Sequence, residues 1–256
     1  MYKYHTLVLG LDAAVGMILQ ELDRQGVADN TIVIFAADNG YFNGSKGMGG
    51  KLYAYEEASL SPTIVFAPRR DRGAFTGRYE IHEALSGNID IAPTILDYAG
   101  VTLPSGMQGR SLAPVLSGKQ DAVHDSVLLV QVWGTPSAQS LAVVTKDHKY
   151  IHWFFGGIGG FGRSEELFDL RQDPWEQSNL VGDEAGLVTL EKMRRRYDDW
   201  LEIWAQEGVE GHGYPKYVRL ADRHRPFENN NPVEIADMFN EKKDDDEAGS
   251  ELQESQ

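Results

Sequence analysis

Two short apolar runs constrain this chain most: "TIVIFAA" at residues 31–37 and "TIVFA" at residues 63–67. Neither alternates apolar with polar side chains. Each therefore reads as a buried strand covered on both faces, as in the parallel sheets of α/β proteins. The first run stops on Asp38-Asn39-Gly40 and enters "YFNGSKGMGGK", where Gly44, Gly47, Gly49 and Gly50 lead to Lys51. Ligands bind beyond the carboxyl ends of strands in open α/β sheets. A strand that ends on an acid and an amide, before a loop this rich in glycine, reads as a candidate binding site.

The flanking patterns extend the α/β reading. Val8, Leu11, Val15, Ile18, Leu19 and Leu22 recur at three- and four-residue spacing, predicting an amphipathic helix over 5–25 that Gly26 closes. "NIDIAPTILDYAGV" predicts a helix with Pro93 in its first turn. "GRSLAPVLSG" is a short helical or turn segment before a boundary near residue 120. Beyond it, "SVLLVQVWG", "LAVVTKDHKYIHWFF" and "EELFDL" predict antiparallel strands, with alternation at 149–153, and a polar helix follows over 187–206. The expected organisation is an α/β portion over 1–120 and an antiparallel sheet plus helix over 121–207. An irregular extension follows over 208–236, then an acidic disordered tail over 237–256.

Charge and composition exclude several roles. The formal net charge of the 256 residues is −15, and residues 237–256 hold eight acids against two lysines. Duplex binding needs clustered Lys and Arg, so no nucleic-acid partner is expected. "KMRRRYDD" reads as a solvated helix face. No uninterrupted apolar run approaches the roughly 20 residues of a membrane span, so none is expected. "MYKYHTLVLGLD" lacks the pattern of a signal peptide, which leaves the compartment open. Zero cysteines exclude disulfides, thiolate metal sites and a Cys nucleophile within these residues.

Asp38 and Asn39 offer one carboxylate and one amide carbonyl. These are hard oxygen donors suited to Ca²⁺ or Mg²⁺ rather than Zn²⁺. Two donors fall short of the roughly six to eight oxygens that Ca²⁺ takes. The alternative is a plain strand-ending turn, which Asp-Asn-Gly favours in any case. Lys51 is a natural partner for a sulfate or phosphate oxygen, with Lys46 a second candidate cation in the same loop. The alternative for either is a solvated loop charge, the usual fate of lysine. His148 and His152 would lie about 13 Å apart on one strand face, too far to share an ion, and His212 and His224 read as loop residues. "ELFDLRQDPWEQSNL" reads as structural, its Asp-Pro and Asn as turns and Trp175 as a packing residue.

The stretch "GLDAAVGMILQELDRQGVADNTIVIFAADNGY…GGKLYAYEEASLSPTIVFAP" resembles the second half of the catalytic domain of type I sulfatases, formylglycine-dependent members of the alkaline phosphatase superfamily. "GNIDIAPTILDYAGVTLPSGMQGRSLAPVLSG" and "KYIHW…EELFDLRQDPWEQSNLVGD" match that family's later blocks in the same order, so the resemblance runs over about residues 4–206. It implies a partial alkaline-phosphatase-like layered domain followed by an antiparallel subdomain, with Asp38 and Asn39 as Ca²⁺ ligands. It makes Lys51 the cation that grips the sulfate and steadies the leaving oxygen. It also implies sulfate-ester hydrolysis, with a sulfated small molecule or carbohydrate as substrate.

Four departures stand out. Lys46 lies where many relatives carry His, and Leu60 where they carry Arg. The family's nucleophile motif, Cys/Ser-x-Pro-x-Arg, is absent: no Ser lies two residues before any of the ten prolines. The paired aspartates that complete the family's calcium site are also absent. The resemblance thus implies a C-terminal portion that works with a missing N-terminal half or subunit. A phosphohydrolase of the same superfamily and a non-catalytic binding or structural piece are the alternatives.

Overall fold

The computed structural model describes residues 2–68, 81–132, 139–154, 164–208 and 214–225. The predicted tail at 237–256 and His212 lie outside them. The chain forms two compact units: residues 1–51 with 57–125, and residues 52–56 with 126–256. The segment 52–56 thus joins the second unit while its neighbours on both sides belong to the first.

The first unit opens with helix α1 (Tyr2–Arg24). Gly26 closes it at φ 69°, with Gly26 N–H on the Asp23 carbonyl and Val27 N–H on that of Leu22. Only a residue tolerant of left-handed backbone suits that position. The helix buries no apolar face among the described residues: Leu7, Leu9 and Met17 are each about 70% exposed. By length and composition α1 also qualifies to cross a membrane, which corrects the reading that no segment does. Asp12 interrupts the apolar run, but it is the only Asp, Glu, Lys or Arg between Lys3 and Glu21.

Strands β1 (Val33–Ala36) and β2 (Thr63–Phe66) form a two-stranded sheet. They pair antiparallel, Val33 opposite Phe66 and Ala36 opposite Thr63, where parallel pairing was expected. Two-sided apolarity reports that a strand is suited to being covered, not its direction. The chain between the strands folds back like a long hairpin, with Ala37 N–H on the Pro62 carbonyl and Gly40 N–H on that of Ala58. Among the described residues the cover is incomplete: Ile64 and Phe66 are exposed.

Helices α3 (Ile91–Ala99) and α4 (Ala113–Leu116) complete this unit, together with α2 (Glu56–Ser59) from Glu57 onward. Fully buried Asp90 holds its later part together. It accepts from the backbone N–H of Gly87 and Arg110, and its Oδ1 lies 2.8 Å from His124 Nε2. Thr94 donates to the Asp90 carbonyl and accepts from Leu112 N–H, while Arg110 donates to the Val123 carbonyl. Burying a carboxylate is costly unless donors surround it, and here the backbone N–H groups of Gly87 and Arg110 supply them. Leu112, Val115 and Val123 form a small core beside them.

The second unit is an antiparallel sheet, β3 (Val127–Gln131), β4 (Ser140–Val144), β5 (His148–Trp153) and β6 (Ser164–Asp169), paired in chain order. Helix α5 (Leu187–Glu207) packs Leu190, Met193, Tyr197 and Leu201 on a core with Leu141, Val143, Tyr150 and Leu167. That spacing is one face of a helix. Helix α6 (Tyr214–Ala221) adds Leu220 and Ala221 to the core, where an irregular extension was expected. Of the predicted solvated arginines, Arg195 is exposed, whereas Arg194 pairs with Glu165 and Glu191.

The alternation expected at 149–153 is absent, because every residue there is buried. Both faces of β5 are covered. Tyr150 and His152 meet Tyr197 of α5 edge to face. On the other face Trp153 meets Tyr53 and Tyr55, and Lys149 meets Glu56. Trp175 is 66% exposed and Glu176 only 4%, so the expected packing residue points out and its acidic neighbour points in. Glu176 adopts φ 51° to do so. The turns themselves form as expected: Asp173 accepts from the N–H of Gln177 and Ser178, and Asn179 from that of Leu167 and Val181.

Candidate functional site

Asp38 and Asn39 stand just past the end of β1, where the backbone stops pairing as a strand. Adjacent residues on a regular strand point to opposite faces, so this break lets both side chains serve one spot. Asn88 holds the break in place: its amide donates to the main-chain oxygens of Asp38 (2.8 Å) and Ala37 (3.2 Å). Gly40 is needed for close approach rather than for a positive φ. A Cβ there would lie 2.2 Å from the Glu57 carbonyl oxygen.

The glycine loop then returns Lys51 to the strand end. Buried Phe42 anchors it, its N–H bonded to the Gly50 carbonyl at 3.0 Å. Lys51 Nζ reaches Asn39 Oδ1 at 2.7 Å and Asp38 Oδ2 at 3.4 Å. The Asn39 amide donates to the Gly40 carbonyl, and this turns its oxygen toward the ammonium. The Asp38 side chain is 82% exposed and that of Lys51 50%, so water screens the pair and it adds little to stability. An exposed carboxylate, an oriented carboxamide oxygen and an ammonium thus share one place.

Of the four residues singled out in the sequence, the structure brings Asp38, Asn39 and Lys51 together. Lys46 sits at φ 52° with its side chain largely covered, and its Nζ lies 3.9 Å from Glu57 Oε1. The oxygen donors of Asp38 and Asn39 suit a hard cation. They are two donors where Ca²⁺ takes about six to eight. Among the described residues no group of three or more His, Cys, Asp or Glu side chains could hold a metal. The remaining oxygens of a calcium shell would have to come from other groups.

Sequence reasoning missed four residues. Asn88 was hidden inside a block read only for its helix. Glu56, Lys149 and Glu176 meet in the second unit, with Lys149 Nζ 2.6 Å from Glu56 Oε1 and 2.9 Å from Glu176 Oε1. The signal there was a lysine inside an otherwise apolar strand, though alternation made it look solvent-facing.

Comparison with known proteins places these features in a family. Residues 44–202 match the family model described as N-sulphoglucosamine sulphohydrolase, C-terminal. The chain is 33% identical over 212 residues to an N-acetylglucosamine-6-O-sulfatase of Bacteroides thetaiotaomicron, covering 78% of this chain and 36% of that protein. It is 27% identical to a choline-sulfatase of Rhizobium meliloti, covering 77% of this chain and 37% of the relative. It therefore spans well under half the length of these relatives. Among solved structures, it superposes on one in complex with its substrate D-glucosamine-2-N,6-O-disulfate, with TM-score 0.67, 26% identity, and coverage of 80% and 41% of the two chains. A 2-O glycosaminoglycan sulfatase gives TM-score 0.66 at 25% identity over 85% and 46% of the two chains. With its α/β fold and its match over 44–202, the chain belongs to the type I sulfatases of the alkaline phosphatase superfamily, matching their C-terminal portion.

Proposed function

We propose that this chain supplies the calcium-and-cation side of a site that hydrolyses sulfate esters of carbohydrates. The observation that carries this reading is the meeting of Lys51 with Asp38 and Asn39 at the end of β1, in a chain of this family. Asp38 and Asn39 would supply two oxygen ligands to Ca²⁺, with Asn88 and Gly40 bracing the strand end that carries them. Bound there, Ca²⁺ would draw charge from the sulfate oxygens. Lys51 binds a non-bridging oxygen of the sulfate and offsets the negative charge that grows on the leaving oxygen. Lys46 is the candidate second cation for binding or protonating the ester oxygen. The nucleophile comes from a portion that carries a Cys/Ser-x-Pro-x-Arg motif, joined to this chain or supplied as a subunit. A sulfated carbohydrate is supported as substrate class by the N-acetylglucosamine-6-O-sulfatase relative and by the disulfated glucosamine bound in a structural neighbour.

One relative favours a second reading. The chain is 27% identical to a protein of Trinickia caryophylli described as a multifunctional alkaline phosphatase superfamily protein, so a phosphate-type ester is the alternative substrate. Both readings are tested by assaying 4-nitrophenyl sulfate against 4-nitrophenyl phosphate, using the protein in which this chain is joined to the nucleophile-bearing portion. Sulfate turnover that exceeds phosphate turnover and depends on calcium supports the first reading, and the reverse preference replaces it. In that protein Lys51→Ala should lower catalysis more than calcium binding, and Asp38→Ala should lower both. Equal minor effects from the two substitutions overturn the assignment.

A further inference from the structure

Asn88 is exposed, yet its amide stands within hydrogen-bond reach of two main-chain oxygens, those of Asp38 and Ala37. A hydrogen bond made in contact with water gains little over the bonds that water itself offers. These two bonds are therefore too weak to fix the backbone that carries Asn88. That backbone is held from the other side, by groups that all lie within the first unit.

Two positions after Asn88 the chain turns inward, and Asp90 is fully buried. Its Oδ2 accepts from Gly87 N–H at 2.9 Å, so the carboxylate closes the turn 87–90 around Asn88. Its Oδ1 accepts from Arg110 N–H at 2.8 Å and lies 2.8 Å from His124 Nε2. An ionised carboxylate only accepts, so His124 carries its proton on Nε2 and donates it to this bond. The His124 side chain is only 5% exposed. A Cβ on Gly109 would stand 1.8 Å from the Ile89 carbonyl oxygen, so the 109–110 backbone is pressed against the same turn. Arg110 also donates to the Val123 carbonyl at 2.6 Å, which fixes the chain just before His124. Taking such a pair out of water offsets most of what its attraction gains. What the pair supplies is one defined place for the turn, and the Asn88 amide carries that placement outward to the end of β1.

We propose that the buried Asp90–His124 pair is a positioning device for Asn88, and through Asn88 for the oxygen donors of Asp38 and Asn39. Asp90 and His124 touch no ligand atom in this role. They act through the turn 87–90. The inference deepens the reading of Asp38 and Asn39 as calcium ligands and rests on it.

Amide hydrogen exchange on the 256-residue chain is the first test. His124→Ala leaves Asp90 its two backbone donors, so the buried carboxylate stays paired. Exchange over residues 37–40 and 87–90 should rise about fivefold, the scale of one lost hydrogen bond. The bonded amides of Gly26 and Gly44 serve as the unchanged reference. His124→Gln, whose amide can donate to Asp90, should return both stretches toward wild type. Once Asn88→Ala has removed the brace, adding His124→Ala should change nothing further at 37–40, because the two act in series. Unchanged exchange at 37–40 in His124→Ala overturns the proposal. So does an effect that adds fully to that of Asn88→Ala, or a rise shared by Gly26 and Gly44, since either marks a general loss of stability. The second test is calorimetric calcium titration of the protein in which this chain is joined to the nucleophile-bearing portion. His124→Ala and Asn88→Ala should each weaken the affinity about fivefold, and unchanged affinity in both overturns the link to the donors. If Asp38→Ala itself leaves the affinity unchanged, the metal reading falls, while exchange at 37–40 still judges the device at the strand end.

Discussion

Asn88 donates its side-chain amide to the main-chain oxygen of Asp38 at 2.8 Å, bracing the end of β1 from a residue fifty positions away in sequence. Asn88→Ala removes this brace and its weaker bond to Ala37. We expect a stability loss of about 1 kcal/mol, the usual worth of such hydrogen bonds, together with faster amide exchange at residues 37–40. Urea unfolding and hydrogen exchange check it, and no change at 37–40 would show that the strand end holds itself.

Gly40→Ala should cost more. The new Cβ would lie 2.2 Å from the Glu57 carbonyl oxygen and 3.1 Å from that of Leu60, and both are backbone atoms that cannot swing aside. Overpacking of this kind costs about 1–3 kcal/mol. Thermal melting of the variant beside Gly44→Ala, where nothing lies within 4 Å of the added Cβ, separates collision from the strain of a left-handed backbone.

Acid stability of the second unit carries two opposed contributions. Burial pushes the Glu165 carboxyl up, but hydrogen bonds from Arg194 and Tyr150 outweigh it and hold it below the ordinary value of 4.5. A carboxyl depressed by folding stabilises the native state above that ordinary value, and this is lost as pH falls through the folded value. Glu176 has the other sign: burial holds it above the ordinary value despite Lys149, so its contribution is present in acid and lost as pH rises. Below the ordinary value of 4.5, Glu165→Gln should flatten the loss of stability with acid. Glu176→Gln should instead act above that value, removing a gain of stability that accompanies falling pH there. Denaturant midpoints measured on both sides of the ordinary value decide the matter; equal slopes in both variants would reject these shifts.

The apolar surface of α1 and β2 predicts association. Leu7, Leu9 and Met17 on the helix and Ile64 on the strand are all exposed, and large apolar side chains left in water favour association. The purified chain should elute from a sizing column as aggregates or oligomers, and the double substitution Leu7→Glu with Met17→Glu should shift it toward monomer. A monodisperse wild-type monomer would show that this surface is tolerated.

Without a nucleophile among its own motifs, the chain should also fail to turn over sulfate esters alone. As an anion ligand alone, Lys51 would bind ground and transition states equally, and that gives no rate. Calcium-dependent hydrolysis of 4-nitrophenyl sulfate by purified residues 1–256 would force a search for another attacking group.

The sequence by itself determined most of the local elements and their order, α6 excepted. Spacing alone is enough to set α1 and α5, because the helix period is a local property of the chain, and two apolar runs on either side of a polar turn set the hairpin of β4 and β5. It also marked Asp38, Asn39 and Lys51 as a candidate group, since a broken strand and a glycine-rich return are visible in residue types. What only the tertiary structure decided were the contacts made at a distance. The pairing of β1 with β2 turned out antiparallel, because apolar residues on both faces say that a strand suits burial and leave its direction open. Lys149 turned out buried rather than solvent-facing, because the segment 52–56 and helix α5 cover β5 from opposite sides. Asn88 and Glu176 owe their roles to partners fifty or more residues away, and a hydrogen bond between such residues leaves no periodic trace in either stretch.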